Sequence, residues 1–137
     1  MADIVVFDTN VSISALLWRG APYRAVLLAK SGIVQAVYCS SMLAELTEKL
    51  RGEFQFSENR IEAVVYQIRQ YGTRIEIPGT LKVVTVDPDD DKFIECAIIA
   101  GARWIVSGDH HLLDFGEYHG IRALTAQAFL TEIAQAS

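Results

Sequence analysis

Ile4-Val5-Val6-Phe7-Asp8-Thr9-Asn10 is the stretch on which the fold turns. Its four apolar residues include three β-branched ones and show no polar alternation. That is the pattern of a strand buried on both faces, as at the centre of a parallel sheet. The run stops at an acid followed by two more polar residues. Val11 to Trp18 then predicts a short helix, broken at Arg19-Gly20-Ala21, and Pro22 suits the first turn of a second helix, Tyr23 to Lys30, ended by Gly32.

Further along, Ile33 to Tyr38 predicts a second strand, and Ser40 or Ser41 can cap a helix running to about Leu50 with Leu43, Leu46 and Leu50 on one face. After Gly52, Ser57 opens a longer helix to Tyr71, whose Ile61, Val64, Val65 and Ile68 keep helical spacing, and Gly72 closes it. Thr73 to Val86 predicts extended pieces around Pro78-Gly79. Asp87 to about Ala100 predicts a helix ended by Gly101, with Trp104-Ile105-Val106 a strand, Ile121 to Leu124 a last short strand and Thr125 to Gln135 a last helix. Strands alternating with helices imply right-handed βαβ units, hence an α/β sandwich with a parallel sheet. No repeat, low-complexity segment or linker divides the 137 residues, which predicts one domain, 1–137.

Composition narrows the function classes. The chain is 51% apolar and 21% charged, the balance of an ordinary folded protein. No apolar run approaches the roughly 20 residues of a membrane span. Met1-Ala2-Asp3-Ile4 lacks the basic and apolar regions of a secretory signal, so a cytoplasmic protein with Cys39 and Cys96 reduced and buried is expected. A net charge of −5 argues against a protein that coats nucleic acid. It argues less against an enzyme acting on nucleic acid, because divalent cations would cancel part of the negative charge.

Acids mark the candidate chemistry. In open parallel sheets ligands bind beyond the carboxyl ends of the strands, and two predicted strands end in Asp: Asp8 after Phe7, and Asp109 after Val106-Ser107-Gly108. Either alone could simply cap the next helix; the pair together points to a site. Asp87-Pro88-Asp89-Asp90-Asp91 packs four carboxylates into five positions. Their repulsion is relieved either by water and a helix N-terminus or by a metal ion. Asp87 as cap, with Pro88, Asp89 and Asp90 in the first turn, accounts for most of the run. Asp91, nearest the apolar Phe93, Ile94 and Ala97, is hardest to explain so, and Glu95 lies one turn beyond it. Glu45, with Glu48 and Lys49 beside it, is by spacing an ordinary helix-surface acid. Oxygen-only ligands suit Mg²⁺ or Mn²⁺, whereas adjacent His110 and His111 and the two isolated cysteines lack zinc-ligand spacing.

Three stretches in order, Val5-Val6-Phe7-Asp8-Thr9-Asn10-Val11, Asp87 to Phe93 with Ala97, and Ile105-Val106-Ser107-Gly108-Asp109 with Leu112-Leu113, resemble the PIN-domain proteins. The likeness is specifically to the PIN toxins of type II toxin–antitoxin operons, the virulence-associated protein C-like ribonucleases. The resemblance covers essentially the whole chain and implies a three-layer α/β/α fold with a central parallel sheet and a site of acids. Carried over, Asp8, Glu45, Asp91 and Asp109 are the four acids, and Asn10 and Ser107 are polar supports. Asp90, Glu95 and His111 are further candidates. His111 stands where many relatives carry another Asp, which weakens the case for a second metal and leaves His111 to contact phosphate or move a proton.

The resemblance therefore implies RNA phosphodiester hydrolysis, with Asp8, Asp91 and Asp109 holding Mg²⁺ or Mn²⁺ and Glu45 completing the shell or orienting water. It also implies a cognate antitoxin lying over the cleft and a homodimer. Arg19, Arg24, Lys49 and Arg51 are expected near the strand-end side, as RNA contacts or as plain surface charge. Two alternatives stand beside this. One is an aspartyl-phosphate phosphatase or phosphotransferase using Asp8 as nucleophile, against which Asn10 replaces the second Asp such enzymes carry. The other is a PIN-fold binding module without catalysis.

Overall fold

The Ile4–Phe7 run lies in strand β1 (Asp3–Phe7), at the interior of a six-stranded sheet. A computed structural model describes residues 2–81 and 90–136. In chain order β1 is followed by helices α1 (Thr9–Leu17) and α2 (Ala21–Lys30), strand β2 (Val34–Tyr38), and helices α3 (Ser40–Gly52) and α4 (Glu58–Tyr71). Then come strand β3 (Gly72–Arg74), helix α5 (Asp91–Ala100), strand β4 (Trp104–Val106), helix α6 (His110–Phe115), strands β5 (Glu117–Tyr118) and β6 (Ile121–Leu124), and helix α7 (Ala126–Ala136).

The sheet order is β3-β2-β1-β4-β6-β5. Among the described residues every pairing is parallel except β5 with β6, a tight antiparallel hairpin at one edge. Because side chains alternate along a strand, β1 sends Val5 and Phe7 to one face and Val6 to the other. Val5 and Phe7 join Ala25, Val26 and Ala29 of α2 and Phe129 of α7 in one core. Val6 joins Met42 of α3, Ile94, Cys96 and Ala97 of α5 and Leu112 of α6 in another. The result is the expected α/β architecture, a mostly parallel sheet with helices on both faces. Trp104 and Phe129 anchor the first core edge to face, ring centroids 5.2 Å apart, a geometry adding roughly 0.5–1.5 kcal/mol beyond burial. A third apolar cluster, Ile13, Leu46, Leu50, Ile61, Val64 and Ile68, clamps α1, α3 and α4 together.

Local signals ended most elements where expected. Gly101 takes φ 71° in the left-handed region, and the amide of Ala102 reaches back to the Ala97 carbonyl at 2.8 Å, closing α5. At Gly72, α4 passes straight into β3, and an added Cβ would sit 2.9 Å from the Ile68 carbonyl oxygen and 3.1 Å from the Tyr38 ring. Other expectations shift. Cys39, not Ser40 or Ser41, occupies the cap position of α3, because the first serine is already helical. Gly52 ends α3 from within it. Helix α6 and strand β5 went unforeseen; at six and two residues they are too short for periodicity to show. The expected cap at Asp87 and the extended pieces beyond Leu81 lie outside the described residues.

Candidate active site

All parallel strands bring their carboxyl ends to one rim, and the Asp at the end of β1 is drawn down into it. Asp8 continues the β1–β4 ladder, its amide donating to the Val106 carbonyl at 3.0 Å, and it is 4% exposed. Its side chain caps α1: Oδ1 accepts from the Val11 amide at 2.8 Å. Oδ2 accepts from the hydroxyl of Ser107, which is fully buried. The same Ser107 Oγ accepts from the Asp109 amide at 2.9 Å, so one hydroxyl joins the two strand-end acids. Capping and site-building, alternatives in the sequence, are one arrangement here.

Asp109 caps α6, its Oδ1 accepting from the His111 amide at 2.9 Å, with His111 Nδ1 3.5 Å away. The carboxyl of Asp90 lies close to it as well. Ligand atoms of Asp90, Asp109 and His111 all lie within 4.8 Å of one another. Among the described residues of the acidic run, Asp90 brings a carboxyl oxygen within reach of Asp109. Asp91, the member favoured in the sequence, is buried but lines a separate cleft of about 290 Å³ with Ser41, Ile77, Leu81, Lys92 and Glu95. Asp90 stands at the cap position before α5 and not in its first turn, and Asp91 is the first helical residue.

Glu45 enters from α3. Its Oε2 accepts from the Thr9 hydroxyl and its Oε1 from Lys92 Nζ at 2.9 Å. These partners are 36 and 47 residues away, which is why helix spacing alone made Glu45 an ordinary surface acid. Thr9 and Lys92 are the residues that sequence reasoning missed. The available signal was their position, each directly following an acid of the matched motifs. Asn10 is exposed on the first turn of α1 and makes no hydrogen bond to these acids among the described residues.

Electrostatics separate the acids. Burial pushes the Asp8 carboxyl up from its ordinary 3.8, opposed by the Ser107 hydroxyl and Val11 amide and reinforced by the charges of Asp109 and Glu45. For Asp109 burial also acts upward, but the His111 amide, the Asp90 carboxyl and the two imidazoles outweigh it and the net shift is downward. For Glu45 burial is likewise overcome, by the Thr9 hydroxyl and by Lys92, so its carboxyl is held low.

Glu95 has a different task. Its two oxygens accept from the amides of Gly79 and Thr80 at 2.9 and 3.3 Å, pinning the turn after Pro78 to α5. Glu95→Ala should cost about 1–3 kcal/mol in urea unfolding, since two part-buried hydrogen bonds to a charged acceptor are lost, while leaving Mn²⁺ affinity unchanged. A loss of metal binding at unaltered stability would move Glu95 into the site instead. Of the cations expected near the rim, Arg51 at the far end of α3 pairs with Glu58 at 2.5 Å and Arg19 lies over the Tyr23 ring.

Comparison with known proteins agrees with this architecture. The family model described as PIN domain matches residues 4–111. Among solved structures, the chain is similar to the T. brucei RRP44 PIN domain at 17% identity and TM-score 0.56, over 99% of this chain and 83% of that one. It is also similar to PAE2754 from Pyrobaculum aerophilum at 15% identity and TM-score 0.59, over 98% and 96% of the two chains. No curated protein matches the sequence at a significant level. No helix among the described residues is long and apolar enough to cross a membrane.

Proposed function

Because the chain belongs to the PIN-domain family, whose members are generally metal-dependent nucleases, we propose that it is a Mg²⁺- or Mn²⁺-dependent endoribonuclease. The observation that carries this is the cluster of Asp90, Asp109 and His111 beyond the carboxyl end of β4, with Ser107 linking Asp109 to Asp8 at the end of β1. The donor set fits the metal: carboxylate oxygens with one imidazole suit Mn²⁺ and, through the carboxylates, Mg²⁺, and a buried group of acids that repel one another is stabilised by a divalent cation. Asp8, Asp90 and Asp109 would hold it. Bound there, the ion would supply a water activated for attack and charge neutralisation at the phosphate.

The chain's own groups prepare the rest. Ser107 orients Asp8 through Oδ2 and Asp109 through its amide, so the two acids cannot shift independently. His111 lies beside Asp109 through Nδ1, which steadies that carboxylate and leaves the other ring nitrogen to carry a proton. Burial of Asp8 and Asp90 excludes water from the inner wall. An aspartyl-phosphate mechanism is disfavoured, since Asn10 stands where such enzymes carry their second Asp.

The order of the three matched motifs supports placing the chain with toxins of type II toxin–antitoxin pairs, acting in the cytoplasm, in which case a small antitoxin covers the acidic rim and the toxin is a homodimer. The test is direct. Purified protein should cut single-stranded RNA with Mn²⁺ or Mg²⁺, stop on adding EDTA and resume with excess metal. Cleavage that continues undiminished in EDTA would overturn the assignment, and calorimetry showing no Mn²⁺ binding would favour a binding module.

A further inference from the structure

A nuclease with an acidic centre faces an electrostatic difficulty, because the polyanion it cuts is repelled by the groups that hold its metal. Some fixed positive charge must stand close by. Lys92 is placed for it. It follows Asp91 on the first turn of α5, and its Nζ rests 2.9 Å from Glu45 Oε1 with the side chain 16% exposed. Its ammonium also lies 5.0 Å from the Phe93 ring centroid, and the residue lines the 290 Å³ cleft that Asp91 and Glu95 share.

A lysine on a helix surface ordinarily samples many rotamers. This one is held in place, and its anchor Glu45 is itself held from the opposite side by Thr9, the residue next to Asp8. The chain Asp8–Thr9–Glu45–Lys92 therefore ties the ammonium to the acidic centre through side chains from α1, α3 and α5. A Lys ammonium is a strongly hydrated point charge and a common phosphate binder. With its charge already paired to the Lys92 ammonium, Glu45 is better built to place Lys92 than to coordinate an ion.

We propose that Lys92 is the phosphate-binding residue of this site, receiving the RNA backbone beside the acids, and that Glu45 is its positioning residue. This rests on the nuclease assignment above and adds how the substrate is received.

The proposal has a signature that a merely structural lysine lacks: removing the charge should move metal and RNA in opposite directions. Lys92→Met should bind Mn²⁺ alone, by calorimetry, roughly three- to tenfold more tightly, because one unit of positive charge leaves the site. The same variant should bind a fluorescent oligouridine in saturating Ca²⁺ more weakly, with a salt dependence shallower by about 0.7 in log–log slope, one phosphate contact on a single strand. Lys92→Arg should keep both affinities near wild type, and Glu45→Gln should weaken Mn²⁺ binding. Lys92→Met with unchanged or weaker Mn²⁺ binding, or with unchanged RNA affinity, overturns the proposal; a joint loss with a lowered melting temperature marks Lys92 as a structural prop. Wild-type protein that binds neither Mn²⁺ nor RNA would remove the nuclease assignment and this inference together. Wild type binding both, with Lys92→Met unaltered, would remove the inference alone.

Discussion

Asp8→Asn should lower RNA cleavage on the order of 10³-fold, the scale of several kcal/mol of charge stabilisation at a metal centre, and yet make the metal-free protein more stable. Asn retains a side-chain oxygen for the Val11 amide and is as good a helix cap as Asp. What disappears is a buried charge close to Asp109 and Glu45, whose repulsion, together with burial, raises the Asp8 carboxyl above 3.8. For an acid raised on folding, the folded state binds the proton more tightly than the unfolded one. Its contribution to stability is therefore best at low pH and declines as pH rises from 3.8 through the higher folded value. Relative to Asp8→Asn, metal-free wild type should lose stability over that window. At pH 7 a relief of about 1 kcal/mol would raise the midpoint by roughly 3–6 °C. Saturating Mn²⁺ should reverse the order, since about 2.7 kcal/mol of linkage at a hundredfold excess over Kd is available to wild type only. An Asp8→Asn protein that melts lower than wild type in EDTA would show that the carboxylate is a structural asset, and the metal-site assignment would lose its main electrostatic support.

The second large effect separates two neighbours. Asp90→Asn should weaken Mn²⁺ binding by at least the roughly 10- to 100-fold seen when even outer-shell partners of metal ligands are lost, and cleavage should fall with it. Asp91→Asn should leave Mn²⁺ affinity within about threefold, as expected of a group outside the cluster. Calorimetry of the two variants beside wild type decides the matter. Were Asp91→Asn the damaging change, the first turn of α5 would have to rotate to bring Asp91 to Asp109 when metal binds. That would restore the assignment that the motif alone suggested.

This choice shows where sequence stops being informative. The strands β1, β2 and β4 and the long helices could be read from apolar runs and helical spacing, and Asp8 and Asp109 from their place at strand ends. Those features are local. Asp90 against Asp91 is a matter of which is the cap and which the first helical residue, which a run of identical residues cannot encode visibly. Glu45 depended on Thr9 and Lys92, residues that spacing within α3 could not connect to it. Helix α6 and the β5–β6 hairpin are short enough that tertiary contacts, rather than pattern, define them.

The hydroxyl of Ser107 that joins Asp8 to Asp109 reaches across 99 residues of chain, and this has a consequence during synthesis. The ribosome delivers Asp8 and Glu45 early, but beyond its local bond to the Val11 amide Asp8 gains its Val106 and Ser107 partners only once β4 has been made and has paired with β1. Closing so long a loop is slow relative to forming the local helices. A nascent chain shorter than residue 109 therefore carries only fragments of the acidic centre. On the proposed nuclease function, a chain assembled in this order would stay harmless to the messenger and ribosome that are producing it until its own sheet has closed.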